Sequence, residues 1–188
     1  MTDDHSPSRA LPGPSAGGLP PAASPPGVDA VFDHAAHGAR RIRDLLPLYA
    51  DLLGGRFVAG GDNPRAGYRA LQLRYRDGTR VELIEPLGDS GFLDSFLASR
   101  PRGGLHHLTF TVADVRAALH RVEELGLSAT SVYLDNPDWQ EFFVHPREAH
   151  GALIQLAQKG PGGWGWPGLT LEQVLAGRGP NGDGRPSP

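Results

Sequence analysis

The sequence predicts an α+β domain made of two tandem βαβββ modules, and three observations carry that prediction. Strand-like and helix-like periodicities run strand, helix, strand, strand, strand through residues 28–87 and again, in the same order, through 103–159. Chemistry-bearing residues recur at a single offset: His34 and His107 are 73 residues apart, and so are Glu82 and Gln155. Seven of the 18 prolines fall in residues 1–27 and five in 160–188, which leaves a folded middle at residues 28–159 between two tails.

The N-terminal tail, residues 1–27, has only Met1, Leu11 and Leu19 as large apolar residues, too few to offset the entropy of ordering the chain. It is expected to be disordered. The first strand is expected at residues 28–34. Ile42, Leu45, Leu46, Tyr49, Leu52 and Leu53 then have helical spacing, with Gly54-Gly55 as the stop and Pro47 as a kink or a late start. Strands follow at residues 56–59, 68–75 and 79–84, the last two joined by the turn dipeptide Asp77-Gly78. Phe92, Leu93, Phe96 and Leu97 mark a short connecting helix.

In the second module, residues 105–112 read as a strand, and Val115, Leu119, Val122 and Leu125 as a helix ended by Gly126. Strands at 128–133, 140–145 and 152–157 complete the repeat. The C-terminal tail, 160–188, carries Trp164, Trp166, Leu169, Leu171, Val174 and Leu175, enough to dock a short helix at 170–176. Thr170 and Gln173 have the spacing of a capping box there.

Composition excludes several functions. The net charge of −3 and pI near 6.2 offer no electrostatic footprint for nucleic acid or an anionic membrane surface. The absence of cysteine removes disulfides, thiolate nucleophiles, zinc ribbons and iron–sulfur ligation, so any metal must be held by His, carboxylate or amide groups. No apolar run reaches the roughly 18 residues of a membrane span, and Asp3 and Asp4 stand where a secretory signal has basic residues. A cytoplasmic protein is expected.

The 73-residue offset has a chemical consequence. Two histidines and two oxygen-bearing side chains on duplicated strands are the makings of one shared site. Strand alternation chooses between His106 and His107: His106 shares a face with Leu108, Phe110 and Val112, while His107 shares its face with Thr109 and Thr111. His107 is therefore assigned to the cavity and His106 to packing. Arg65, Arg69, Arg74, Arg76 and Arg80 form a basic run that reads equally well as an anion grip or as a solvated hairpin. His37, His145 and His150, with Trp139, Phe142 and Phe143, read as structural or core residues.

The stretches FDHAAHG with LLPLYADLLGG, TRVELIEPL, GGLHHLTFTVADV and HPREAHGALIQLAQ resemble the vicinal oxygen chelate superfamily, the glyoxalase/bleomycin-resistance/extradiol-dioxygenase fold, and most closely its methylmalonyl-CoA epimerase-like members. The resemblance covers residues 29–158. It implies an open half-barrel sheet around a divalent metal held by His34, Glu82, His107 and Gln155. Relatives usually have Glu where Gln155 stands, so a carboxylate and an amide have changed places between the fourth and eighth strands. Nitrogen and oxygen ligands without sulfur suit cobalt, nickel, manganese, iron(II) or zinc.

The activity this implies is a metal-dependent isomerase or lyase acting through a metal-stabilised enolate. Its substrate would be an acyl-CoA or another carboxylate or carbonyl compound, and the assembly a homodimer. Relatives also carry a proton-shuttling carboxylate on the third strand, where this chain has Tyr68-Arg69-Ala70-Leu71. An amide at Gln155 cannot act as a base. Glu82 and Glu141 are left as the candidate catalytic carboxylates, Glu141 sharing a strand face with Trp139, Phe143 and His145. Two other readings compete. One is a non-catalytic binder of the antibiotic-sequestering type, favoured by the missing carboxylates. The other is an extradiol-type dioxygenase using His34, His107 and Glu82, or a glyoxalase-like lyase.

Overall fold

The computed structural model describes residues 28–88, 91–161 and 168–177. Eight strands form one mixed, curled half-barrel sheet: β1 (Val31–Gly38), β2 (Arg56–Asn63), β3 (Tyr68–Arg74), β4 (Arg80–Pro86), β5 (Gly104–Thr111), β6 (Ala129–Tyr133), β7 (Trp139–Val144) and β8 (Leu153–Lys159). Among the described residues three α-helices accompany it: α1 (Asp94–Ser99), α2 (Val115–Glu124) and α3 (Leu171–Leu175). The expected tail at 1–27, Trp164, Trp166 and the chain after 177 lie outside the described residues.

The sheet order β2-β3-β4-β1-β5-β8-β7-β6 makes the duplication visible. Each half has an antiparallel meander whose last strand pairs in parallel with its first, β4 with β1 and β8 with β5. The halves join where β1 runs antiparallel to β5. Curling brings the far edges together, so that the Arg65 guanidinium after β2 lies 4.3 Å from the centre of the Tyr133 ring on β6.

Helices α2 and α3 cover the convex face, while α1 packs on Ala36, Ala70 and Ile84, on the same face as His34 and Glu82. In the second half, Val115, Ala118 and Val122 of α2 pack on Phe142 and Val144. The side chain of Asp114 caps that helix by accepting from the N–H groups of Arg116 and Ala117. In the first half, Ile42 packs with Leu71, Leu73 and Leu83, joined by Leu171 and Leu175 of α3. Helix α3 has the expected capping box, Thr170 and Gln173 each closing on the other's backbone. No helix among the described residues is long and apolar enough to cross a membrane.

Three elements differ from the sequence reading. The first strand is not 28–34 but runs on to Gly38, because Ala35, Ala36, His37 and Gly38 are held extended by β4 on one side and β5 on the other. The helix expected over 42–53 is a 3₁₀ turn at Ile42–Asp44 followed by a π-helical turn at Pro47–Leu52. Proline lacks the N–H that a continuous helix would use there, so it sits at the start of the second turn, and Leu52 and Leu53 are left exposed. Strand β2 continues through Gly60 and Gly61 to Asn63. A Cβ on Gly60 would lie 2.7 Å from the Ala70 carbonyl oxygen and 3.2 Å from Val174 Cγ1, so glycine here is required by the close approach of β3 and α3.

Candidate metal centre

His34 on β1, Glu82 on β4 and His107 on β5 point into the concave face, and their ligand atoms all lie within 4.8 Å of one another. Strand register explains the meeting: Ala36 stands beside both Glu82 and His107, and His34 lies two residues before it on the same strand. All three side chains are almost fully buried, at 1%, 1% and 3% exposure.

The donor set fits a divalent cation. His34 Nε2 and His107 Nε2 are each 3.5 Å from Glu82 Oε2. Two atoms each about 2.1 Å from a common ion at the tetrahedral angle lie about 3.4 Å apart. Glu82 Oε1 and His107 Nε2 are buried without a hydrogen-bond partner. Orphaned polar atoms in a protein interior are costly, and an ion would satisfy both.

The electrostatics divide the two histidines. Burial lowers the His34 pKa, but the charges and hydrogen bonds of Glu82 and Asp33 more than reverse this, so it is pushed up to about 9. His107 is driven well below the ordinary range by burial, with His106 and His34 adding to the effect. Burial would raise the Asp33 carboxyl, but hydrogen bonds from His34 and Lys159 and the charges of His34 and Arg80 hold it well below the usual carboxylate range.

Gln155 approaches the same space from β8. Thr109 Oγ1 lies 3.0 Å from His34 Nε2 and donates to Gln155 Oε1 at 2.5 Å. Gln155 Nε2 in turn donates to Glu141 Oε2, which also accepts from Trp139 Nε1 at 2.6 Å. Glu141 thus stands one strand behind the amide. Burial raises its pKa, and Glu82 adds to this against the hydrogen bonds from Trp139 and Gln155.

Several residues of this site were not singled out from sequence. Thr109 links His34 to Gln155, and Asp33 supports His34. Tyr68 on β3 lies on the same face; its hydroxyl is held well above its ordinary pKa by burial and by the charges of Glu82 and Glu141. Gln72, across from Glu82 in the ladder, has a buried Nε2 without a hydrogen-bond partner. Alternation along β3 was the available signal, since Tyr68, Ala70 and Gln72 share one face.

His37 Nδ1 is 2.8 Å from Tyr49 Oη, and His106 is wedged against Phe92 and Phe96. Burial and the nearby Arg100 push the His106 pKa down to about 4. The basic run is dispersed. Arg69 is bound to Asp62 and Glu85, Arg80 to Asp33, and Arg74 and Arg76 are exposed. Beyond the Phe92 and Phe143 rings, 5.5 Å apart, lies a cavity of about 410 Å³ lined in part by Arg100, Leu105, His106 and Thr130.

The family model described as Glyoxalase/Bleomycin resistance protein/Dioxygenase superfamily matches residues 33–143. An ethylmalonyl-CoA/methylmalonyl-CoA epimerase of Cereibacter sphaeroides is 29% identical over 130 residues, covering 68% of this chain and 96% of the relative. The mitochondrial methylmalonyl-CoA epimerase of Homo sapiens is 24% identical over 129 residues, covering 68% of this chain and 73% of its own. Among solved structures, the methylmalonyl-CoA epimerase from Mycobacterium tuberculosis superposes with a TM-score of 0.64 at 25% identity, covering 72% of this chain and 91% of that one.

Proposed function

Since the chain belongs to the glyoxalase/bleomycin resistance protein/dioxygenase superfamily, we propose that it is a metal-dependent acyl-CoA epimerase acting on a substrate of the methylmalonyl-CoA type. One observation carries the reading: a buried His34, Glu82, His107 cluster whose Glu82 Oε1 and His107 Nε2 have no partner, in a fold shared with methylmalonyl-CoA epimerases. In this reading His34, Glu82 and His107 hold the ion and Gln155 adds its amide oxygen.

When bound, the ion would supply a Lewis acid for the oxygen of a carbonyl whose neighbouring carbon loses a proton. Glu141 is the carboxylate best suited to move that proton. Its raised pKa brings it nearer neutral pH, and Gln155 and Trp139 hold its Oε2. Glu82 is the second carboxylate, its Oε1 buried without a hydrogen-bond partner. Phe92 and Phe143 exclude water from this side, and the cavity beyond them has room for an acyl chain. A homodimer belongs to the same reading, supported by apolar surface on β1 at Val31 and Phe32.

The test is solvent deuterium incorporation at the carbon between carboxylate and thioester of methylmalonyl-CoA, in D₂O with cobalt or nickel supplied. Exchange well above the buffer rate is expected, and its absence would remove the assignment. A second reading, binding without turnover, is favoured by Ala70 being buried under α1 where relatives have a carboxylate strand, and by Gln155 Oε1 being taken by Thr109. It predicts tight retention of an acyl-CoA with no exchange.

A further inference from the structure

The two ligand histidines share a supporting device that is written twice in the chain. Neighbouring residues on a strand normally point to opposite faces. The ladder between β1 and β5 breaks that rule at two places. Phe32 pairs with Phe110 and His34 with Thr109, which leaves Asp33 as an extra residue. Ala36 pairs with His107 and His37 with Leu105, which leaves His106 as an extra residue. Both are β-bulges, and each falls on the residue just before a ligand histidine. Asp33 and His106 are themselves 73 residues apart, so the bulge is part of the duplication.

Each bulged side chain reaches the Nδ1 atom of the histidine that follows it. His34 Nδ1 donates to Asp33 Oδ2 at 2.8 Å, and His107 Nδ1 is 2.9 Å from His106 Nδ1. In both cases Nε2 is then the atom left facing Glu82 Oε2, at 3.5 Å. Asp33 is anchored in turn by Arg80 of β4 and Lys159 of β8, one cation from each half of the sheet. His106 is anchored by the rings of Phe92 and Phe96, with centroids 4.8 Å and 4.7 Å away.

We propose that Asp33 and His106 are positioning residues that keep the proton of each ligand histidine on Nδ1 and so present Nε2 to the metal. The inference rests on the metal-centre reading above. The two supports are unequal. A carboxylate is a charged acceptor, which increases the donor strength of the histidine it holds, whereas an imidazole is a neutral acceptor. His34 is thereby the stronger donor and His107 the weaker one, in a site whose ligands are otherwise paired by duplication.

The experiment measures cobalt(II) affinity by competition with a chromophoric chelator, on full-length wild type, Asp33→Ala, Asp33→Asn, His106→Leu and His106→Gln. Urea midpoints of the metal-free proteins and the imidazole Nδ1–H resonances of His34 and His107 are read alongside. Asp33→Ala is expected to weaken cobalt binding about 10- to 100-fold, as loss of such a support does elsewhere. The Nδ1–H signal of His34 should be lost to exchange with water. Asp33→Asn keeps the shape and an acceptor oxygen beside Arg80 and Lys159, so it serves if the alanine variant fails to fold, and its loss should be smaller. His106→Leu is expected to lose about 10-fold, and His106→Gln to recover part of that.

Wild-type cobalt affinity in Asp33→Asn and His106→Leu, or a His107 proton found on Nε2 in the metal-free protein, overturns the proposal. So does a lowered urea midpoint with unchanged affinity. A wild-type protein that binds no cobalt, nickel or zinc sinks the metal-centre reading, and this inference with it; a wild type that binds while the variants match it sinks this inference alone.

Discussion

Gln155 and Glu141 are diagonal neighbours across the β8/β7 ladder, where Gln155 pairs with Phe143 and Glu141 with Ala157, and the amide Nε2 donates to the carboxylate Oε2. In the proposed reading Glu141, one strand behind Gln155, is the acid–base group of the site and the amide takes the inner place. Glu141→Gln is therefore expected to lower the deuterium exchange rate by about 10²-fold or more, the usual cost of losing a general base. Stability should move the other way. A carboxyl whose folded pKa is raised takes up more protons folded than unfolded, so stability falls as pH rises from the unfolded value through the folded one. The neutral variant escapes that loss, and its urea midpoint at pH 7.5 should equal or exceed that of wild type.

Metal affinity should depend on pH through His34. With its pKa pushed up to about 9, the metal-free protein carries an imidazolium there at neutral pH, and an ion must displace a proton to bind. Below that value the apparent cobalt dissociation constant should fall about tenfold for each unit of rising pH, and flatten above it. The metal-free protein should show the matching trend in stability, with the contribution of His34 full below pH 6.5 and lost as pH rises through about 9. Chelator competition at pH 6.5 and 7.5 checks the first, and urea titrations at the same values and at pH 9 check the second.

His34, Glu82 and His107 were legible in the sequence because the argument for them needs only residue identity, alternation and a repeated offset. Alternation alone separates His107 from His106, but the extra residue in the β1/β5 ladder brings the two rings together: His107 joins Glu82 and His34, while His106 packs against Phe92 and Phe96 with its Nδ1 2.9 Å from His107 Nδ1. Asp33 was not legible for the same reason. Alternation sends it to the face opposite His34, and only the extra residue in the β1/β5 ladder brings the two together. Glycine and proline misled in a similar way. Gly60 and Gly61 read as the end of a strand but are the thin place where α3 rests, and the apolar spacing of residues 42–53 hid two short turns set by Pro47.

The docking of α3 is a stability feature and should be separable from the metal centre. Val174 is fully buried against Gly60 on β2, while Leu171 and Leu175 pack on the Ile42, Leu71, Leu73 cluster, on the face of the sheet opposite His34 and Glu82. Val174→Ala removes two buried methyl groups and is expected to cost about 2 kcal/mol. Gly60→Ala forces a methyl group to within 2.7 Å of the Ala70 carbonyl oxygen, a backbone atom that cannot swing aside, so it should cost at least as much. Urea unfolding of the metal-free proteins measures both losses. Cobalt affinity of the folded variants should stay within about twofold of wild type, because neither change reaches the strand faces that carry the ligands. A large affinity loss in Val174→Ala would mean that α3 sets the curl of the sheet as well as covering it.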